Sequence, residues 1–478
     1  MHYQVLIIGS GFSGICLGIK LLEAGITQFK ILEKADDLGG TWRENTYPGA
    51  ECDVPSALYS YSFEHNADWN YKWSGQEQIL KYQKDTAHKY GLDDFFEFSR
   101  TVEKMNFDES AGLWSVETAQ GQTYKAQHVV SAVGQLHVPN TPRIKGSFDG
   151  VTFHSARWNH NFDVKGKRIA VVGNAASALQ FIPEIAKSAA DVYVLQRSPN
   201  WVLPKVDRPY AKWEQWLSDK VPAVTKLYRF SLWLRGEGAM FLAIRGNRFM
   251  QWVLRLWNQS YMKKSIASPE LRAKLTPDYP VGAKRILFSD HYYQAIARDN
   301  VHLITDRLDS LYANGITLVS DNADSQQQIE VDAIIYGTGF VTNPFLSEIE
   351  VRGRKDQLLA EHWKGGAHAY LGLSTHGFPN LHFMYGPNTN LGHNSIIIMI
   401  EAQAKAITKL VKLERVEIDA GVEKAFNDEM QDRLANLAFS TVEDSWYLVE
   451  GRVTNNWAGR TTEYRRRVNK LDIGLYRT

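Results

Sequence analysis

The feature that most constrains this 478-residue chain is a glycine-rich turn between a buried strand and a helix near its N-terminus. The aliphatic run 3–8 predicts a parallel strand, and the apolar periodicity of residues 13–24 predicts a helix. Between them Gly9, Gly11 and Gly14 have the spacing G-x-G-x-x-G, which in this context is typical of a dinucleotide-binding unit. The first glycine makes the tight turn, the second lets a pyrophosphate approach the backbone, and the third lets helix pack on strand.

An acidic residue ends the next predicted strand of this unit. Glu33 directly follows the strand 29–32, at the separation from the glycines that is typical of such units. A carboxylate at this place accepts hydrogen bonds from the hydroxyl groups of a ribose. Glu33 is therefore a candidate ribose-binding residue.

A second copy of the pattern follows the predicted strand 168–172. Its turn contains Gly173, Ala175 and Ser177, with alanines where the second and third glycines would stand. Arg197 follows Gly173 at the same separation as Glu33 follows Gly9, so it takes the place of the acid. An arginine at this place accommodates a 2′-phosphate and favours NADP over NAD.

Two such units predict two nucleotide cofactors in one chain. A bound flavin and a nicotinamide reductant are a consistent pair, and together they predict electron transfer.

The two units indicate an α/β fold with two Rossmann-like domains. Segments 123–133 and 328–339 both run from polar to aliphatic residues and into a glycine, and they flank the second unit. We therefore expect residues 1–145 and 330–478 to form one discontinuous domain, with residues 146–329 inserted as the second.

The inserted domain carries an unusual stretch at about residues 206–275, which loses strand character and becomes aromatic, basic and helical in periodicity. It is interpreted as a packed helical subdomain, with two alternatives: a lid over the substrate, or a peripheral membrane contact. The basic residues available for such a contact are Lys226, Arg229, Arg235, Arg245 and Arg248.

Composition excludes several classes of protein. The net charge of +1 provides no general field for a polyanion, so nucleic acid is not an expected partner. Two cysteines exclude a disulfide framework and a Cys-rich zinc site, and no metal is expected. The first residues lack a basic signal-peptide segment, and no stretch is long enough to span a bilayer. We expect a soluble, cytoplasmic chain that begins at Met1.

Cysteine placement also separates two classes of flavoprotein. Cys52 lies where the flavin disulfide oxidoreductases carry a C-x-x-x-x-C pair, but its possible partner positions to either side hold Tyr47 and Ala57. Dithiol chemistry is therefore not available. A reduced flavin without a thiol acceptor must pass its electrons elsewhere, and oxygen is the leading alternative.

Residues 148–158 match the pattern F-x-G-x-x-x-H-x-x-x-W, in which His154 and Trp158 are the last two fixed positions. On this motif the chain resembles the flavin-dependent Baeyer–Villiger monooxygenases, relatives of the flavin-containing monooxygenases, over essentially its whole length. Trp158 favours the ketone-oxidising branch, since the nitrogen-oxidising branch usually has tyrosine there. Asn159 departs from the usual Pro or Asp. His154 is expected to lie in an interdomain hinge, where it can couple the two domains.

The resemblance implies FAD in the first domain, NADP in the inserted one, and a set of site residues. Arg285 is expected to reach over the flavin, with Asp53 holding it, and Lys284 to hold the NADP phosphate. Asn394 begins a helix facing the flavin pyrimidine, and Trp457 contacts the nicotinamide ribose. The residues expected around the flavin are Gly40, Thr41, Trp42, Asp53 and Tyr59.

The activity implied by the resemblance is NADPH- and O2-dependent insertion of one oxygen atom beside a ketone carbonyl. An ester or lactone would form through a C4a-peroxide of the flavin, with Arg285 and Asp53 as catalytic residues. Two alternatives stay open. One is oxygenation of amines or sulfides, and the other is a flavin redox sensor that produces only hydrogen peroxide. The sequence indicates neither the substrate nor the oligomeric state.

Overall fold

The computed structural model describes residues 2–320, 326–442 and 448–477. Its strands, numbered β1 to β23 in chain order, are His2–Ile8, Phe29–Leu32, Phe96–Glu97, Val102–Asp108, Leu113–Thr118, Thr123–Ser131, Lys145–Gly146, Val151–His154, Arg168–Val172, Asp191–Leu195, Val202–Leu203, Leu287–Phe288, Val301–Ile304, Arg307–Tyr312, Gly315–Val319, Gln326–Glu330, Ala333–Tyr336, Glu350–Arg352, Leu381–Phe383, Glu417–Ile418, Leu448–Val449, Arg452–Val453 and Tyr476–Arg477.

The α-helices, numbered α1 to α14, are Phe12–Glu23, Thr41–Glu44, Gln76–Lys89, Ala176–Ile185, Lys212–Lys220, Pro222–Arg235, Phe241–Ile244, Arg248–Ser265, Pro269–Lys274, Tyr292–Ile296, Leu359–His362, Ile397–Leu410, Ala420–Ala435 and Thr461–Asn469. A π-helical turn, Gly236–Met240, joins α6 to α7. Short 3-10 turns lie at Asp93–Phe95, Ser155–Arg157, Arg354–Asp356, Ala438–Thr441 and Ile473–Leu475.

The first sheet has the strand order β18, β4, β5, β6, β1, β2, β3, with β19 beside β6. Its centre is parallel: Ile7 of β1 lies opposite Ile31 of β2 and Val130 of β6. Because both faces of this centre are covered, the second half of β1, residues 5–8, is an unbroken aliphatic run. Helices α1 and α12 pack together in the core against it, with Ile15 and Ile407 fully buried.

The second sheet is wholly parallel, in the order β13, β10, β9, β17, β8. Strand β17 pairs with β9, so that Ile335 lies opposite Val171. The expected return to the first domain at residue 330 is therefore wrong, because this strand completes the second sheet. The chain rejoins the first sheet at β18, where Val351 lies opposite Met105 of β4.

The stretch at 206–275 is helical, as its periodicity predicts, and comprises α5 to α9 with the π-turn. It lies between β11 and β12, which pair in parallel. In the part of the chain that the structure describes, no helix is long and apolar enough to cross a membrane.

Candidate active site

A cleft of about 1500 Å³ runs between the two sheets. Both glycine-rich turns line it, at the carboxyl ends of β1 and β9, where ligands of open α/β sheets bind. The two turns are far apart in the sequence, and the fold brings them to one cavity.

The glycines of the first turn have distinct geometries. A Cβ atom on Gly14 would lie 2.0 Å from the carbonyl oxygen of Gly9, so this residue sets the approach of α1 to β1. A Cβ atom on Gly11 would meet nothing nearer than the Cα of Gly40, at 3.7 Å, and Gly11 and Gly40 both line the cleft. Gly9 has a φ of +105°, which only glycine adopts readily. This shape fits a pyrophosphate passing close to backbone N–H groups.

Glu33 lies at the same end of the cleft. Its Oε2 accepts hydrogen bonds from the Ser10 backbone N–H at 2.9 Å and from the Ser10 hydroxyl at 2.7 Å. Its Oε1 accepts one from the Ala35 N–H at 3.0 Å. These bonds fix the carboxylate on the cleft wall.

The expected flavin-ring residues also meet in the cleft. Thr41 begins α2, and the Trp42 indole N–H donates to the Tyr59 hydroxyl at 3.2 Å. Asn394 lies just before α12, and its Oδ1 accepts from the Ser395 N–H at 2.9 Å. The Ser395 hydroxyl is buried and has no hydrogen-bond partner among the described residues. Asn394, Ile396 and Ile400 line the cleft, so the positive N-terminal end of α12 faces it and favours an anionic group there.

Arg285 and Asp53 form an ion pair in the cleft, with Nη2 and Oδ2 3.0 Å apart. The Asp53 side chain is 10% exposed and that of Arg285 39% exposed, so the carboxylate is sheltered while the guanidinium reaches the cavity. The structure thus contains the contact between Asp53 and Arg285 that the family resemblance predicts.

Gln180, which no sequence motif marks, joins the two domains beside this pair. Its Nε2 donates to the Glu51 carbonyl at 2.9 Å and approaches Oδ1 of Asp53 at 3.4 Å, while its Oε1 accepts from the Tyr47 hydroxyl at 2.9 Å. Gln180 lies on α4 of the second domain, whereas the other three lie on the first. Only the folded chain brings these segments together.

Lys205 is a second residue that sequence reasoning missed. Its side chain is 2% exposed and pairs with Glu51 at 2.6 Å, while also donating to the Cys52 carbonyl at 3.2 Å. Burial raises the pKa of Glu51, although Lys205 acts to lower it. This pair anchors the backbone on one side of Asp53.

The second turn also lines the cleft. Gly173 has a φ of +101°, and a Cβ atom there would lie 2.6 Å from the Gly337 carbonyl oxygen. Ala175 precedes α4 and is exposed to the cavity, and Ser177 lies in the first turn of that helix. The methyl group of Ala175 occupies space that Gly11 leaves free in the first turn, so a nucleotide cannot approach this backbone as closely.

Arg197 and Lys284 both line this half of the cleft. Arg197 is exposed and lines the cleft. The Lys284 ammonium donates to the Ser198 hydroxyl at 3.2 Å and lies 4.8 Å from the centre of the Tyr279 ring. Two cations and a hydroxyl in this half of the cleft suit a phosphate group, and Ser198 extends the predicted set.

Two expected residues lie away from the cleft. Trp457 is 2% exposed, packs on Tyr464 and donates its indole N–H to the Arg460 carbonyl at 3.1 Å. Trp457 does not line the cleft, because it is part of the core. His154 is buried at the end of β8, beside Phe340, which agrees with a place near the domain linker. Burial lowers the pKa of His154.

The sequence matches over residues 6–221 a family described as pyridine nucleotide-disulphide oxidoreductase. A Baeyer-Villiger monooxygenase of Pseudomonas aeruginosa is 41% identical, in an alignment that covers 99% of this chain and 91% of that protein. The chain belongs to the Baeyer–Villiger monooxygenase family. Both of its cysteines are buried free thiols, so it shares the nucleotide-binding units of the first family without a dithiol.

Solved structures agree with this Baeyer–Villiger assignment. OTEMO in complex with FAD and NADP is 25% identical, with a TM-score of 0.88 and coverage of 99% of both chains. A closed crystal structure of cyclohexanone monooxygenase is 25% identical, with a TM-score of 0.86 and coverage of 98% of this chain and 97% of that one. The predictions of the family, of the α/β fold with two Rossmann-like domains and of a flavin monooxygenase using FAD and NADP are confirmed.

Proposed function

We propose that this chain converts a ketone to an ester or lactone with O2 and NADPH, and that Arg285 is its central catalytic residue. The carrying observation is the position of the Arg285–Asp53 pair, in the cavity where both nucleotide turns meet. Cyclohexanone as a substrate is a property of the structural neighbour, and its ketone class is what we carry over. O2 is the oxidant that this ketone chemistry requires.

FAD, when bound and reduced by NADPH, supplies the chemistry that activates O2 for transfer. The residues around the flavin stabilise developing charge and position the groups that do so. Arg285 stays protonated at working pH and donates planar, paired hydrogen bonds, so it stabilises negative charge that develops on oxygen during attack on a carbonyl. Asp53 positions the guanidinium, and Gln180 and Lys205 position the Asp53 loop.

Binding of the reductant falls to the second turn. We assign the NADP pyrophosphate to the N-terminus of α4 and the 2′-phosphate to Arg197, Ser198 and Lys284. This separates the phosphate cluster from the reacting centre.

Arg285→Ala tests this proposal. Loss of one preorganised donor commonly lowers turnover by about 100- to 1000-fold, so ester formation should fall by that factor. Reduction of the yellow flavin by NADPH should remain measurable by stopped-flow absorbance, with hydrogen peroxide replacing the ester. Arg285→Lys is the matched control, because it keeps the charge and loses the planar fork.

Product analysis distinguishes oxidation of a ketone to an ester from oxidation of a sulfide and from release of peroxide. The purified protein is offered NADPH, air, and a ketone together with a sulfide, and products are measured by gas chromatography. Ester from the ketone, lost in Arg285→Ala, supports the proposal. A wild-type enzyme that yields only sulfoxide, or only peroxide across a ketone panel, contradicts it, as does a normal ester yield from Arg285→Ala.

A further inference from the structure

Exposed large apolar side chains are concentrated in one stretch of the chain. Of the fourteen large hydrophobic side chains that are exposed among the described residues, eleven lie between positions 206 and 257. Trp213 is 65% exposed and Phe249 67% exposed. The eleven, which we call the apolar face, are Val206, Trp213, Trp216, Val221, Leu227, Phe230, Leu234, Phe249, Trp252, Leu256 and Trp257.

The spacing of the apolar face is helical. Leu227, Phe230 and Leu234 follow the i, i+3, i+7 pattern on α6, and Phe249, Trp252 and Leu256 repeat it on α8. On α8 the side chains buried against the protein are a different set, Leu254, Asn258 and Met262. Packing of the core therefore accounts for one side of α8 and leaves a second apolar stripe facing outward. An outward stripe of this kind marks an interaction site.

Positive charge is concentrated in the same stretch of the chain. From residue 212 to 264 the chain has ten Lys and Arg against three Asp and Glu, although its total balance is +1. Nine of these cations are exposed: Lys212, Lys220, Lys226, Arg235, Arg245, Arg248, Arg255, Lys263 and Lys264. The tenth, Arg229, is turned inward and donates to the Ala57 carbonyl.

Of the three acids, only Asp219 offsets one of the nine exposed cations. Glu214 is held by Arg208 and Lys72, and Asp219 pairs with Lys220. Glu237 is buried in the π-turn and accepts from the Thr461 hydroxyl at 2.6 Å. The exposed side chains of α5, α6 and α8 thus combine tryptophan, leucine and phenylalanine with lysine and arginine.

We propose that this surface docks on an anionic lipid bilayer. Helices with apolar residues on one side and Lys and Arg beside them lie in the headgroup region, and tryptophan is favoured at that depth. Charge complementarity selects the occupant. A second copy in a twofold dimer would set the same cations against one another, whereas anionic lipid headgroups neutralise them.

Sedimentation with vesicles tests the proposal on the flavin-loaded, full-length protein. Two vesicle preparations are compared, phosphatidylcholine alone and phosphatidylcholine mixed with phosphatidylglycerol. We expect binding to the mixed vesicles that weakens as salt is raised, and brominated acyl chains should quench tryptophan fluorescence. Protein that stays in the supernatant with both preparations, or binds both equally, overturns the proposal.

Two sets of variants locate the contact. Lys226→Glu, Arg248→Glu and Arg255→Glu together should weaken binding about a hundredfold, because each cation near an anionic surface contributes about fivefold. Trp213→Ser with Trp252→Ser should reduce the quenching, because Trp216 and Trp257 of the apolar face remain. The matched controls are Lys104→Glu, Lys125→Glu and Lys165→Glu together, which are exposed elsewhere, and Ile473→Ser; both should bind as the wild type does.

Folding and self-association are checked in the same samples. Flavin content and circular dichroism should be unchanged in every variant, since the substituted side chains face outward. Equal loss of binding in the control triple variant would contradict the proposal. A concentration-independent dimer whose tryptophans are shielded from aqueous quencher would also overturn it, by assigning the apolar face to a second copy.

Discussion

At the scale of single residues, Gly11 and Gly14 belong to one motif and have separable roles. We predict that Gly14→Ala destabilises the protein, because its methyl group would meet the Gly9 carbonyl oxygen at 2.0 Å and force α1 from β1. Gly11→Ala should fold normally, since its Cβ would meet nothing nearer than 3.7 Å, yet it should lose FAD affinity. Thermal unfolding and flavin content of both variants measure the difference.

Flavin occupancy of Gly11→Ala can contradict the separate roles of Gly11 and Gly14. If Gly11→Ala retains full flavin occupancy, the pyrophosphate does not pass that glycine. Gly25→Ala is a comparison for backbone strain alone, because Gly25 has a φ of +75° and open space around it, away from the cleft. It should lose some stability and keep its flavin.

Arg197 and Lys284 carry a prediction about the choice of reductant. Hydrogen bonds to charged groups contribute about 1.5–3 kcal/mol, so Arg197→Ala or Lys284→Ala should raise the KM for NADPH by roughly 10- to 100-fold. The KM for NADH should change little, because NADH lacks the 2′-phosphate. Lys165→Ala, an exposed lysine of the same domain, serves as control. Equal effects on both reductants would assign the cations to another part of the nucleotide.

At the scale of elements, β6 and β19 hold two histidines in the core of the first sheet. Nδ1 of His128 lies 3.2 Å from Nε2 of His382, and Nε2 of His128 lies 2.9 Å from the Leu413 carbonyl oxygen. Burial lowers the pKa of His128 to about 4, despite the bond to that carbonyl, and lowers the pKa of His382 well below its ordinary value. Both side chains are therefore neutral in the folded protein at pH values well above 4.

A pH dependence of stability follows. An unfolded histidine has a pKa of about 6.5, so below this pH the unfolded chain binds protons that the folded chain does not. The free energy of unfolding therefore has its full value above pH ~6.5. As the pH decreases from there toward ~4, it falls by about 1.4 kcal/mol per pH unit for each histidine. The urea concentration at the midpoint of unfolding, measured between pH ~4 and pH ~6.5, should change less with pH in His382→Gln than in the wild type. The exposed His88 provides His88→Gln as control; an unchanged slope in His382→Gln contradicts the prediction.

Elements whose signal is local were predictable, and those that depend on pairing were not. The strand–turn–helix units at Gly9 and Gly173 follow from short apolar runs and nearby glycines. Strand β17 has the same local pattern as β6, and only the hydrogen bonds of Ile335 and its neighbours place it in the second sheet. Sequence pattern defines a strand, whereas its partner is chosen by the whole fold.

At the scale of the whole molecule, the site residues also divide into those that the sequence identifies and those that only the fold reveals. Asp53 and Arg285 were identified through a family resemblance, and their contact joins segments that are distant in the sequence. Gln180 and Lys205 carry no motif, because their importance arises from where two domains touch. Trp457 has the expected sequence context, but core packing against Tyr464 takes it away from the cleft.

Because the cleft is lined by segments from Gly9 to Ile400, a bound dinucleotide contacts distant parts of the chain at once. We predict that removing the flavin destabilises the protein. A ligand at a thousandfold excess over its Kd stabilises the folded state by about 4 kcal/mol, so stripped protein should unfold at lower temperature and recover on adding FAD. Scanning calorimetry of both forms measures the shift. Gly11→Ala should show no recovery with FAD, and a wild-type protein that melts identically with and without flavin would contradict the role assigned to the cleft.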